Sequence, residues 1–247
     1  MKSQDWWWYQ SGSSFTPTDL GAKLISEHYA DGADNFTLGV GNDVTTWLDQ
    51  SGNSNNWRQT NSTLRPLWDT VDKITFDAAD EFLDTVSLAS YSSDTQGELI
   101  VVWKSLADVP QLVFSVSNNG SNNDWMSFGQ LDYTNPLLYW KDSSLNTIDF
   151  GTGMTQQFNI SRWSSDGTNY YHYLNGVLQS ISSGTDNGNW FGDLGVGVDG
   201  IRLGSRARVA TDYYNLEIKS VLYCNEKLSA EEGTNIDTYL NTKFSVY

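Results

Sequence analysis

Asp77, Asp80 and Glu81 set three carboxylates within five residues, a grouping that suits a hard cation such as Ca²⁺ if backbone carbonyls complete its shell. The spacing lacks the register of an EF-hand loop, and a solvated turn between two strands is the alternative reading. Two further loops carry the short amides and rim aromatics that sugar sites use. Asn122, Asp124 and Trp125 lie in or beside residues 118–125, and Asp186, Asn187 and Trp190 lie in residues 184–190. There the amides and carboxylates would hydrogen-bond hydroxyls, while Trp125, Trp140 or Trp190 offered a face to the sugar ring. With 11 tryptophans in the chain, a core position is the alternative for each. Asp49, Ser51, Asn53 and Asn56 form a fourth polar cluster, read either as a carbohydrate or calcium site or as a network of Asx turns satisfying loop backbone. Trp47, just before it, is a core anchor in both readings.

Other chemistries are disfavoured by what surrounds the residues that would carry them. His28 and His172 are the two histidines, and His172 alternates with Tyr171 and Tyr173 without a second imidazole or thiol nearby. Cys224 is the sole cysteine, so an internal disulfide and a thiolate zinc site are excluded; beside Leu222 and Tyr223 it reads as a small buried hydrophobe. No cofactor is expected apart from the Ca²⁺ weighed above. The 247 residues carry 14 Lys+Arg against 30 Asp+Glu, a net charge of -16 that argues against nucleic acid and anionic membrane as partners. No stretch is long and apolar enough to span a bilayer, and the N-terminus lacks a signal-peptide pattern, so the chain is expected to be unexported.

The elements that must position these residues are mostly short strands separated by Gly, Asn, Asp and Pro. Residues 97–104 form a continuous apolar run, the pattern of a strand covered on both faces. Residues 111–117, 124–130 and 137–141 follow as strands, and 168–175 joins 177–181 through Asn175-Gly176, a pair suited to a tight hairpin turn. Residues 20–29 could form a short helix, with Leu20, Leu24 and Ile25 on one face and Asp19 as cap. A second helix is better marked: Ser229 and Glu232 make a capping box, and Ile236, Leu240 and Phe244 recur every four residues. Gly233 in its first turns weakens it by about 1 kcal/mol relative to alanine. Residues 1–19 stand apart as an aromatic arm and linker ahead of one domain spanning 20–247. This order of strands closes most simply as an all-β, two-sheet antiparallel sandwich with a C-terminal helix.

Three stretches in this order carry a family resemblance. They are Val44-Thr45-Thr46-Trp47-Leu48-Asp49-Gln50-Ser51-Gly52-Asn53 with Arg65-Pro66; Ile74-Thr75-Phe76-Asp77 with Asp80-Glu81-Phe82-Leu83; and Gly200-Ile201-Arg202-Leu203-Gly204 leading to residues 218–225 and the terminal helix. The set resembles the concanavalin A-like lectin/glucanase superfamily, specifically LamG-like modules of bacterial surface proteins and tailed-phage virion proteins. Departures include Leu216 and Ala78 where glycine is usual, Ser220 for glutamate and Cys224 for tyrosine. The resemblance implies a jelly-roll fold. The superfamily's hydrolases bear Glu-x-Asp-x-(x)-Glu on a catalytic strand; that pattern is missing here, so no enzyme is expected.

Two functions fit these features. One is a structural or decoration protein on a phage capsid or tail surface, made in the host cytoplasm, with weak glycan adhesion. In that reading Trp6, Trp7, Trp8 and Tyr9 anchor the arm in other virion proteins or in a second copy, giving a homo-oligomer. The alternative is a carbohydrate-binding, lectin-like module.

Overall fold

In the computed structural model the described residues are 15–85, 88–118, 124–131, 135–142, 144–151, 154, 156–194, 198–207 and 212–247. The strands are β1 (Leu24–Tyr29), β2 (Phe36–Leu38), β3 (Val44–Trp47), β4 (Trp57–Arg58), β5 (Leu67–Trp68), β6 (Ile74–Asp77), β7 (Leu83–Thr85), β8 (Gly97–Ser105) and β9 (Gln111–Ser117). Then come β10 (Trp125–Gln130), β11 (Pro136–Asp142), β12 (Ser144–Asp149), β13 (Asn159–Ser165), β14 (Tyr170–Leu174), β15 (Val177–Gln179), β16 (Gly200–Leu203) and β17 (Asn215–Cys224), followed by helix α1 (Ala230–Phe244). They build two antiparallel sheets in a jelly-roll-like sandwich. An eight-stranded sheet runs β15-β14-β13-β8-β17-β6-β5, and a nine-stranded sheet runs β12-β11-β10-β9-β16-β7-β4-β3-β2. Strand β17 holds the first sheet together: β8 pairs along one side of it, while β6 and then β1 share the other.

Register turns alternation into layers. Leu83, Leu203, Phe114, Phe128, Leu138 and Ile148 are successive cross-strand neighbours on the inner face of the nine-stranded sheet, and all are fully buried. Tyr223, Leu99, Trp163 and His172 form the facing row of the eight-stranded sheet. Trp47, at the end of β3, is buried in this core, the anchor expected of it on the strand ahead of the polar cluster. The hairpin at Asn175-Gly176 also forms, with φ of 50° and 79° at the two turn residues.

The eight-stranded sheet is covered outside as well, which explains the unbroken apolar run of β8. Ile236, Leu240 and Phe244 of α1 pack with Ile100, Val102, Ile160, Leu222 and Cys224. Ser229 Oγ accepts from the Glu232 amide at 3.3 Å, and the Glu232 carboxylate accepts from the Ser229 amide at 2.8 Å, so the capping box is complete. Ser229→Ala is expected to lower stability by about 1 kcal/mol, read as a lower urea midpoint at unchanged slope.

Residues 20–29 depart from the expected helix. Pro17–Lys23 forms a 3₁₀ segment, and residues 24–29 become β1 because the edge of β17 from Ser220 to Cys224 offers a ladder of unpaired backbone groups. Pro17 and Leu20 are buried, and Phe15 packs on the helix-side cluster, so the folded unit takes in the end of the expected linker. Trp6, Trp7, Trp8 and Tyr9 lie outside the described residues. At position 78, where the resembled modules have glycine, Ala78 adopts φ of 66°, a backbone state that a glycine holds without strain.

Candidate functional site

The outer face of the nine-stranded sheet carries a polar row: Thr46, Arg58, Asp84, Arg202, Ser115 and Ser127 are successive cross-strand neighbours. Each of the three charged members sits beside a core residue on its own strand: Arg58 beside Trp57, Asp84 beside Leu83, Arg202 beside Leu203. Alternation therefore drives them outward.

The β16–β17 connection divides this face. Ser115 Oγ donates to the Ser205 carbonyl at 2.8 Å and accepts from the Ala207 amide at 2.7 Å, pinning the connection across β9. Arg206, paired with Asp212 at 3.0 Å, lies 4.8 Å over the Trp125 ring. Ser115, Ser127 and Trp125 are buried as a result.

The other half stays open. Arg202 Nε donates to Asp84 Oδ1 at 2.8 Å, and its guanidinium lies 4.0 Å over the Phe82 ring. Phe82 in turn stacks with Tyr213 at 6.4 Å. Burial raises the Asp84 pKa from its ordinary value, against the opposing pull of Arg202. Beside this group is a hollow of about 260 Å³ lined by Arg58, Gln59, Thr60, Asp84 and Thr85. Arg58 is exposed and enters no ion pair among the described residues. The arrangement offers one free guanidinium fork, one guanidinium held rigid by a carboxylate and a ring, and the half-exposed ring of Tyr213 backed by buried Phe82. It can hold a carboxylate or adjacent hydroxyls bidentately. It lacks the parts of a nucleophilic site, since both histidines are fully buried and burial pushes the Cys224 thiol far up.

The residues singled out from sequence are placed elsewhere. Trp190 is wholly buried, donating to the Tyr223 hydroxyl at 3.0 Å and stacked on Phe191 at 4.9 Å; neither it nor Trp125 presents a face to a sugar. Asp124 is buried ahead of β10, whereas exposed Asp186 accepts from the Tyr170 amide of β14 at 2.6 Å and its neighbour Thr185 exchanges hydrogen bonds with Asn146 of β12, so that loop bridges the two sheets. Asn187 accepts from the Asn189 amide within its own turn at 3.3 Å. Asn122 and the Trp140 side chain lie outside what is described.

The carboxylate turn is closed by its own backbone amides. Glu81 accepts from the Asp77 amide at 2.9 Å and Asp77 from the Ala79 amide at 2.8 Å, tying the turn to itself, while Asp80 is half-exposed. Among the described residues no three His, Cys, Asp or Glu side chains are placed to hold a metal. Burial, reinforced by repulsion from Asp77, Asp80 and Asp43, pushes Glu81 up to about 7. Asp49 is the centre of a backbone-satisfying network, accepting from the amides of Glu27, Ser51 and Asn55, each at 2.9 Å.

No protein-family model matches the chain, and no curated protein matches it. Solved structures do. The carbohydrate-binding module (CBM40) of the Ruminococcus gnavus IT-sialidase, bound to alpha2,3 sialyllactose, is similar with a TM-score of 0.54 and 17% identity, over 67% of this chain and 93% of that one. A variant of the NanB sialidase from Streptococcus pneumoniae gives 0.53 and 19% over 65% of this chain, and Trypanosoma rangeli sialidase gives 0.63 and 9% over 90%. The chain spans about a quarter of the NanB sialidase and a third of the trypanosomal one, 26% and 33%. At these identities the likeness establishes the fold. The carbohydrate-binding module is covered along almost its whole length, the two sialidases only in part. The expectation of a phage decoration protein on a virion surface, with virion proteins or a second copy as partners, is overturned: these similar structures are sialidases and a sialidase binding module.

Proposed function

We propose that residues 20–247 form a non-enzymatic carbohydrate-binding module whose ligand rests on the open half of the nine-stranded sheet. The observation that carries this reading is Arg202, locked between Asp84 and Phe82 beside the uncommitted fork of Arg58. A guanidinium whose rotamer is already fixed loses little entropy on binding, and half-exposed Tyr213, backed by the buried Phe82 ring, supplies an aromatic surface for the C–H face of a sugar. Arg58 suits a carboxylate. The similar CBM40 module is bound to sialyllactose, and this makes a sialylated glycan the first ligand to test.

Titration with alpha2,3-sialyllactose and with lactose provides that test. The sialylated sugar is expected to bind at least about tenfold more tightly, the gain of one charge-assisted contact. Arg58→Ala is expected to remove that difference while leaving the melting temperature unchanged, because its side chain is exposed and unpaired. Absence of binding by every sugar on a glycan array, and by sialyllactose at millimolar concentration, would sink the proposal.

A further inference from the structure

A larger recess of about 530 Å³ opens between the turn ahead of β1 and the loop after β3. Its volume falls in the range that accommodates a small ligand, roughly 300 to 1,000 Å³. Ala22 and half-buried Ile25 give it an apolar side, and Ser51, Asn53 and Ser90 a polar one. The hydrogen-bond direction in that polar wall is one-sided. Asn53 Nδ2 donates to the carbonyls of Leu24 at 2.9 Å and Ile25 at 3.1 Å, and Ser51 Oγ donates to Asp49 Oδ2 at 2.8 Å. Ser90 Oγ donates to Asn55 Oδ1 at 3.0 Å, and Asn55 Nδ2 donates to the Ile25 carbonyl at 2.7 Å. With the donors spent inward, exposed Asn53 retains its Oδ1 acceptor for a ligand.

Charge points the same way. Asp49, directly behind Ser51 and Asn55, enters no ion pair with a Lys, Arg or His among the described residues. His28, whose ring feels that carboxylate, is kept neutral by complete burial and so does not offset it. None of the described lining residues carries a formal charge. An acceptor-lined wall backed by an unneutralised carboxylate selects a donor-rich cation and disfavours an anion.

We propose that this recess is a second binding site, separate from the sheet face, for a sugar carrying a free ammonium group. The ammonium faces Asn53 Oδ1 and the field of Asp49, and the ring lies along Ala22 and Ile25.

Isothermal titration of the full chain with glucosamine, glucose and N-acetylglucosamine, in mildly acidic low-salt buffer, tests the assignment. Glucosamine is expected to bind at least about tenfold more tightly than the two neutral sugars, as one charge-assisted contact allows. Ala22→Lys places a cation and bulk in the recess from an exposed position and is expected to abolish glucosamine binding, with Thr18→Lys on the rim as a second variant. Arg58→Ala is expected to leave it unchanged, which separates this site from the sheet face whatever that face binds. Equal binding of glucosamine and glucose, no glucosamine binding at all, loss of it in Arg58→Ala, or undiminished binding by either folded lysine variant would overturn the proposal.

Discussion

Replacing Arg162 by alanine is expected to lower stability by about 3 to 5 kcal/mol, because it strands two carboxylates beneath α1. Arg162 on β13 pairs with Glu98 of β8 at 2.9 Å and with Asp237 of the helix at 3.3 Å, all three being buried, and lies 4.4 Å over the Tyr173 ring. Burial already pushes Asp237 up to about 6 and raises Glu98, with Arg162 opposing both shifts. Without that cation the folded state holds their protons more tightly still. The sign follows: a carboxylate whose folded pKa is raised adds stability as pH falls through that value, and the variant's values lie above the parent's, so its deficit should shrink as pH falls toward about 6, where the parent's Asp237 takes up its own proton.

The same guanidinium explains Gly233. A Cβ at that position would stand 2.2 Å from Arg162 Nη1, so Gly233→Ala is expected to cost about 1 to 3 kcal/mol by overpacking, despite its gain in helix propensity. In the Arg162→Ala background the same change should stabilise by about 1 kcal/mol. Urea unfolding of the four members of this cycle measures both effects, and a destabilising Gly233→Ala in both backgrounds would refute the steric account.

Acidification should expose the second large effect. His172 is wholly buried between Phe150 and Trp163, at ring distances of 5.2 and 5.1 Å; burial first, and Arg162 second, bring its pKa down to about 3. The unfolded chain takes up that proton near pH 6.5. A lowered folded pKa contributes stability that is complete above the unfolded value and lost as pH falls toward the folded one, at about 1.4 kcal/mol per pH unit. His172→Phe keeps the aromatic packing without the titration. Between about pH 6.5 and 4.5 the variant should gain roughly 2.5 kcal/mol relative to the parent. Glu81 and Asp237 act in the opposite direction, but both proteins share them, so the difference curve isolates His172. Parallel stability curves for the two proteins over that range would show that His172 is not held neutral.

Local signals sufficed where the determinants are close in sequence. The run 97–104, the Asn175-Gly176 turn and the Ser229–Glu232 cap need only neighbouring side chains and backbone, and each forms as expected. Residues 24–29 went the other way because their partner, β17, lies at the far end of the chain, and pairing with it outweighs a weak local helical pattern.

The candidate site was only half legible. A lone charge between core neighbours, as at Arg58, Asp84 and Arg202, marks an outward side chain, yet alternation alone does not say which strands are adjacent. Arg202 reaches Asp84 across 118 residues because β16 lies between β7 and β9. Trp125 and Trp190, attractive as platforms for their loop setting, are taken out of solvent by Arg206 and by the Tyr223–Phe191 core. Composition, periodicity and caps by themselves determined a two-sheet sandwich closed by a helix, because burying alternate faces requires nothing more. Which polar residues share an open surface was decided only by the tertiary structure, since register and strand order assemble that surface from segments that have no contact in sequence.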